Sequence, residues 1–301
     1  MNNVIETMIK KYNPKNNEER EYAIKEIIQE IALAGLSRGG FFEKAAFYGG
    51  TCLRIFYGLN RFSEDLDFAL LKKDSEFKIS DYFPALKREF SSYGIEIHID
   101  KRNKVSDSDI QSAFFKSNTL SLMMFFFPKS EDAKKIISNK KIKIKFEVDT
   151  DNPDGGKTEN KFKLLPAPYE VKIFDESTLF AGKIHAIICR NYKNNVKGRD
   201  YYDYLFYVAR GTTLNLAYLE NKLKNSGVSL QNNKLTLENI KELLKTKFEI
   251  VDYESAKKDV SNFVSDKYTL SLWKKELFLA TLDDLRIDWH YYLICLNLIF
   301  N

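Results

Sequence analysis

Histidine and cysteine are scarce in this chain of 301 residues, three of each, and the scarcity sets aside much chemistry. Cys52, Cys189 and Cys295 form no close pair, so neither a disulfide framework nor a cysteine-rich zinc site is expected, and the thiols read as buried and free. His98, His185 and His290 are far apart and outside any H-E-x-x-H element, which argues against a hydrolytic zinc centre. Proline (6) and glycine (13) are too few for a disordered chain. Long apolar runs are missing as well. The stretches 120–128 and 291–300 fall short of the roughly 20 residues that cross a bilayer. Met1-Asn2-Asn3-Val4-Ile5-Glu6 has neither the basic start nor the apolar run of a secretion signal. No membrane association and a cytoplasmic location are therefore expected. Neither G-x-x-x-x-G-K-[ST] nor a strand-linked G-x-G-x-x-G occurs, which disfavours P-loop and Rossmann cradles.

The chain has a globular balance, 44% hydrophobic and 30% charged. The length points to two domains at about 150 residues each. The net charge of +5, from 47 basic and 42 acidic residues, permits an anionic partner without demanding one.

Apolar residues recur at helical spacing over 17–35, a lead-in helix. Residues 45–48 then run into Gly49-Gly50, and Thr51 reads as the N-cap of a short helix ending at Gly58. Period-two alternation predicts strands over 65–71, 95–99 and 142–148, a buried strand fits 119–127, and a helix fits 82–93. The stretch 151–156 is turn-rich, and Pro166 and Pro168 punctuate the segment after it. The expected division is an α/β domain over 1–168 and a helical bundle over 169–301. The predicted helices of the latter are 178–191, 200–209, 214–224, 237–246, 253–264 and 270 to the C-terminus. No fixed-period repeat is present across these helices, which favours a bundle over a solenoid, and a mixed first half followed by a helical second half makes the fold class α+β.

Two carboxylates two residues apart on a strand share a face, so Asp65 and Asp67 offer paired oxygen ligands of the kind Mg²⁺ takes, with Leu66 and Phe68 behind. Taken alone, such a pair is more often the polar solvent face of an edge strand. Upstream, Gly49 and Gly50 leave backbone N–H groups open at a helix start, where the helix dipole favours an anion. Phosphate on one side and metal on the other make a triphosphate clamp.

The run Phe47-Tyr48-Gly49-Gly50-Thr51, Leu53-Arg54 and Arg61-Phe62-Ser63-Glu64-Asp65-Leu66-Asp67-Phe68 resembles the signature of the AbiEii/AbiGii toxin family. That family belongs to the DNA polymerase β-type nucleotidyltransferases. Lys183 through Arg190 is similar to its K-x6-R helix, and Arg199-Asp200-Tyr201-Tyr202-Asp203 to its R-D-x-x-D element. The resemblance covers about residues 45–210 and implies a polymerase-β-type mixed sheet with flanking helices. It implies that Gly49, Gly50, Thr51, Arg61, Ser63, Lys183 and Arg190 bind nucleotide, that Asp65 and Asp67 hold metal, and that an aspartate of the pair Asp200 and Asp203 completes a catalytic set with Lys183. Type IV toxin–antitoxin biology, hence an antitoxin, comes with it. Thr51 stands where Gly-Ser is commoner and keeps the hydroxyl. The third carboxylate is expected at Glu147 rather than Asp149, which adjoins the turn-rich segment and is needed there.

In purely physical terms, Lys183 and Arg190 are seven apart and form a cationic row that suits a triphosphate. The alternative is a solvated face backed by Leu179, Ile184, Ile187 and Ile188. Asp200 and Asp203, one turn apart, equally suit capping and salt bridging. Six lysines lie between 134 and 145. Lys143 and Lys145 share a strand face with Glu147 and Asp149, either a solubilising surface or a track for an RNA backbone. The expected activity is Mg²⁺-dependent (or Mn²⁺-dependent) transfer of a nucleoside monophosphate from a nucleoside triphosphate to a hydroxyl, on an RNA such as tRNA. The rival is a nucleotide- or RNA-binding protein that keeps the fold without turnover.

Overall fold

The computed structural model describes residues 2–101, 119–130, 133–134, 142–190, 196–229 and 234–288. His290, Cys295, the run 291–300, Asn191 and Lys135, Lys140 and Lys141 lie outside the described residues. The chain divides into two units. Met1–Phe56, Phe62–Asn152 and Thr158–Ile173 form the first, and Tyr57–Arg61, Pro153–Lys157 and Phe174–Asn301 the second.

The first unit runs α1 (Asn2–Tyr12), α2 (Asn17–Arg38), β1 (Ala45–Tyr48), α3 (Gly49–Tyr57), β2 (Leu66–Leu70), α4 (Phe83–Ser92), β3 (Ile95–Lys101), β4 (Thr119–Pro128), β5 (Ile142–Asp149), β6 (Thr158–Lys163) and β7 (Tyr169–Phe174). Its seven strands form one mixed sheet in the order β3-β4-β5-β2-β1-β7-β6. β2 is antiparallel to β1 and parallel to β5, and β4 is antiparallel to both β3 and β5.

Alternation decides the two faces. Leu66, Phe68 and Leu70 of β2 and Ile144, Phe146 and Val148 of β5 are buried, whereas Asp67, Lys145, Glu147 and Asp149 are half-buried on the other face. On the buried side Phe68 stacks on Phe146 with ring centroids 4.7 Å apart, and Phe41 meets Phe68 edge-on at 4.9 Å. Each such ring contributes about 1.5–3 kcal/mol by leaving water. The aromatic core therefore selects which face remains for the carboxylates.

Several expectations are corrected. Helix α3 begins at Gly49, so Thr51 lies inside it and is no N-cap. Asp65 precedes β2 rather than opening it. β6 and β7 lie where only turns and prolines were read, and β7 pairs in parallel with β1 through Phe47 and Ile173, which moves the main boundary from 168/169 to 173/174. Tyr57–Arg61 and Pro153–Lys157 also belong to the second unit, a division that no composition shift announces.

The second unit contains α5 (Glu176–Cys189), α6 (Gly198–Ala209), β8 (Thr213–Leu214), α7 (Leu216–Asn225), α8 (Leu237–Ile250), α9 (Tyr253–Ser261), α10 (Lys275–Ala280) and β9 (Arg286–Ile287). The single helix expected from 270 onward is instead broken. 3-10 turns over Tyr268–Leu272 and Thr281–Asp284 flank α10, and β9 pairs with β8. Tyr201, Tyr204 and Tyr207 of α6 are buried among Phe180, Phe248 and Phe278, with Tyr207 stacked on Phe180 at 4.6 Å. The Tyr204 hydroxyl shares a 2.9 Å hydrogen bond with Thr281 Oγ1, which satisfies it inside the core. Cys52 is buried and Cys189 half-buried, both without a disulfide. Among the described residues no helix is long and apolar enough to cross a membrane.

α6 starts at Gly198, directly against α9, where a Cβ would collide with the Ala256 carbonyl. Backbone cannot yield as a flexible side chain does, so Gly198→Ala is expected to cost about 3 kcal/mol. Urea denaturation of the full chain checks this, and an unchanged midpoint would remove the argument.

Candidate active site

The loop before β2 is held residue by residue. Phe62 contacts the Tyr22 ring, stacked at 4.3 Å, and the Arg54 guanidinium, 4.7 Å from its centroid. Gln29 Nε2 donates to the Ser63 carbonyl at 3.1 Å, and Lys25 pairs with Glu64 at 2.7 Å. The Thr51 hydroxyl donates to the Asp65 carbonyl at 2.5 Å. Arg54 is itself oriented by Glu26 at 2.9 Å. Tyr22, Lys25, Glu26 and Gln29 all belong to α2, so that helix brackets the start of β2 and, through Arg54, α3 as well. Sequence reading missed these four residues. Their only trace is a polar interruption of an otherwise apolar helix.

Gly49 has φ of 80°, a left-handed conformation that side chains resist. A Cβ at Gly49 would also run into the Asp67 carboxylate. Glycine therefore lets the head of α3 and the Asp67 side chain share one place, and Asp67 stands opposite Tyr48 in the strand register. Thr51 is fully buried with its hydroxyl committed to Asp65. What this helix start offers an anion is backbone N–H groups rather than the Thr51 side chain. Ser63 is half-buried in the bracketed loop.

Across the sheet, Asp67 is in register with Glu147, and Asp149 with Ala69. Asp149 Oδ1 accepts from the Asp151 backbone N–H at 3.0 Å, a local turn contact. Glu147 is paired with Lys145 at 2.5 Å. Among the described residues no three His, Cys, Asp or Glu side chains come together as a preassembled metal site. The donor set at this end of β2 nevertheless fits a hard divalent cation, because Asp65, Asp67 and Glu147 are all carboxylates.

The second unit gathers the other expected residues. Arg61 donates through Nε and Nη2 to both Asp203 oxygens, at 2.6 and 2.7 Å, and both side chains are buried. Lys183 Nζ reaches Asp200 at 2.7 Å and Asp203 at 2.8 Å, and Arg190 pairs with Asp200. The predicted cationic row thus does not stand free. α5 ends at Cys189, Arg190 caps it, and both cations turn onto the aspartates of α6. Arg61, expected on nucleotide, is 3% exposed as the counter-ion of Asp203. Burial works to raise the Asp203 pKa, but Arg61 and Lys183 overcome it and hold the carboxyl below its usual range. His185 is half-buried with Nε2 2.7 Å from Ser226 Oγ, and desolvation pushes it down to about 3, so it stays neutral.

The family description "Nucleotidyl transferase AbiEii toxin, Type IV TA system" matches residues 31–282. The chain belongs to the AbiEii family. The family is one of nucleotidyltransferase toxins, and its toxin–antitoxin setting implies an antitoxin partner. No curated protein matches it in sequence. Among solved structures the AbiEii-family chain is similar to MenT4, a nucleotidyltransferase toxin from Mycobacterium tuberculosis, at 17% identity and a TM-score of 0.56, over 97% of this chain and 92% of that one. It also matches JHP933 from Helicobacter pylori at 19% identity and TM-score 0.44, over 87% of this chain and 88% of that one. Another solved structure from H. pylori, provisionally described as a nucleotidyltransferase, matches at 19% identity and TM-score 0.47, over 86% of this chain and 90% of that one.

Removing one partner from a buried ionic cluster leaves charge uncompensated, so Asp203→Asn should destabilise this AbiEii-family chain by about 3–5 kcal/mol. Because the folded-state pKa of Asp203 lies below its unfolded value near ~3.9, its contribution is complete above that value. It is lost as pH falls through the depressed one. Acid unfolding of the parent should therefore steepen below about pH 4, and Asp203→Asn should lack that component. Lys183→Met should lower the melting temperature. An unchanged melting temperature with triphosphate binding abolished would restore the role that the family resemblance assigns to Lys183.

Proposed function

We propose that the chain is a Mg²⁺-dependent enzyme, with Mn²⁺ as a substitute, that moves a nucleoside monophosphate from a nucleoside triphosphate to a hydroxyl of an RNA such as tRNA, and that it is the toxin of its toxin–antitoxin pair. The observation that carries this reading is the packing of Asp67 against Gly49. It sets a carboxylate beside the N-terminus of α3, so that cation-binding and phosphate-binding groups share one place.

Asp65, Asp67 and Glu147 are the residues that would hold the cation, which when bound supplies charge neutralisation along the triphosphate. Backbone N–H groups at Gly50 and Thr51 hold phosphate oxygens. The acceptor hydroxyl oxygen forms a bond to the α-phosphorus while the bond from that phosphorus to the β-phosphate oxygen breaks, and pyrophosphate leaves. The hydroxyl proton passes to a carboxylate, assigned to Glu147 because its strand position adjoins Asp67. The Lys145 pairing has to open for Glu147 to serve.

Incubation with each α-labelled triphosphate, Mg²⁺ and total bacterial RNA should label RNA with at least one nucleotide. Label on none would leave a binding protein with the same fold. Asp65→Asn or Asp67→Asn should remove metal-dependent triphosphate binding in calorimetry while the fold survives. Induction of the parent without an antitoxin should arrest bacterial growth, and equal accumulation of Asp67→Asn should not. Arrest by both would point to sequestration instead.

A further inference from the structure

We infer that Glu26 is a positioning residue for nucleotidyl transfer and that Tyr12 of α1 fixes it, so that the N-terminal helix sets the metal and triphosphate groups without touching either. The inference rests on the transfer site proposed at Asp65, Asp67 and Glu147. Tyr12 and Glu26 both precede residue 31, where the match to the family description begins, so membership of the family assigns them no role.

Glu26 is buried on α2, and its two oxygens serve different segments of the first unit. Oε1 accepts from the Tyr12 hydroxyl at 3.0 Å, and Oε2 accepts from Arg54 Nε at 2.9 Å. Tyr12 is the last residue of α1, a helix that packs on α2 with Ile5 and Met8 buried. Its hydroxyl has one hydrogen to give. Glu30 also lies within reach, at 3.3 Å, but has donors of its own in Tyr169 at 3.2 Å and Lys163 at 3.5 Å. The Tyr12 hydrogen is therefore assigned to Glu26, the nearer acceptor.

On the other side of the carboxylate, Arg54 carries the constraint to the site. Its Nε is committed to Glu26, which orients the guanidinium lying 4.7 Å from the centroid of Phe62, three residues ahead of Asp65. Arg54 also stands one turn beyond Thr51 on α3, and Thr51 donates to the Asp65 carbonyl. The contacts thus run from α1 through Glu26 to the approach to Asp65 and to the helix whose first N–H groups are assigned to phosphate. For stability alone a buried ion pair is a poor choice, because desolvation offsets much of the attraction and an apolar pair of similar volume does as well. What the carboxylate adds is direction: one oxygen faces α1 and the other α3.

The test is calorimetry of triphosphate binding by the full-length protein across a Mg²⁺ titration, below the melting temperature of every variant. Tyr12→Phe, which keeps the ring and removes only the hydroxyl, and Glu26→Ala should each raise the Mg²⁺ concentration for half-maximal binding about tenfold. Glu26→Gln should keep the requirement near the parent's, since its amide oxygen can accept from Arg54 while its NH₂ group donates to the Tyr12 oxygen. Ile28→Val, which trims a buried apolar side chain of the same helix, should lower the melting temperature and leave the Mg²⁺ requirement alone. A parental requirement in Tyr12→Phe, a shift in Glu26→Gln as large as in Glu26→Ala, or an equal shift in Ile28→Val overturns the inference. If the parent shows no Mg²⁺-dependent triphosphate binding, the transfer-site reading fails instead, and amide hydrogen exchange over residues 62–67 decides the positioning role. Faster exchange there in Tyr12→Phe than in Ile28→Val keeps it, and equal exchange removes it.

Discussion

The register of β2 between β1 and β5 is the constraint on which the candidate site depends. Side chains alternate strictly along a strand, so a slip of β2 by one residue would turn Phe68 outward and drive Asp67 into the aromatic core. Either change is costly, because buried rings contribute about 1.5–3 kcal/mol each and an unpaired buried carboxylate costs several more. Phe41, Phe47, Phe68 and Phe146 thus hold the acidic residues at the surface without touching a ligand.

Register alone would leave the approach to β2 loose, since Asp65 lies just outside the strand. Helix α2 supplies the missing order. Its buried stretch carries Glu26, Gln29 and Glu30 among apolar neighbours, and each of these polar groups has a partner in another segment: Arg54, the Ser63 carbonyl and Tyr169 respectively. Hydrogen bonds offset much of the cost of burying polar groups, and here they locate a loop and a helix relative to one scaffold. Thr51 joins the same arrangement through Asp65.

The second unit solves a different problem by related means. Three cations, Arg61, Lys183 and Arg190, converge on two aspartates of α6 next to a core of tyrosines and phenylalanines. Arg61, Asp200 and Asp203 are buried, and each of these charges is costly to bury singly, whereas Arg190 reaches Asp200 from an exposed position. The Arg61 pairing accords with Tyr57–Arg61 grouping with the helical unit although its neighbours on both sides belong to the first unit.

Much of this was determined by the sequence alone. Period-two alternation located β2, β3 and β5, helical spacing located α2 and most helices of the second unit, and the Gly-Gly and Asp-x-Asp pattern with its family resemblance named the two carboxylates and the glycines, because these are local or motif-level properties of the chain. Other features were decided only by tertiary structure. β6 and β7 have weak local signals and exist through pairing across the sheet, Thr51, Lys183 and Arg190 turned onto partners in other segments, and Arg61 onto one 142 residues along the chain. A side chain's charge is written in the sequence, but whether it meets solvent, a ligand or a buried counter-ion depends on which distant segment packs against it.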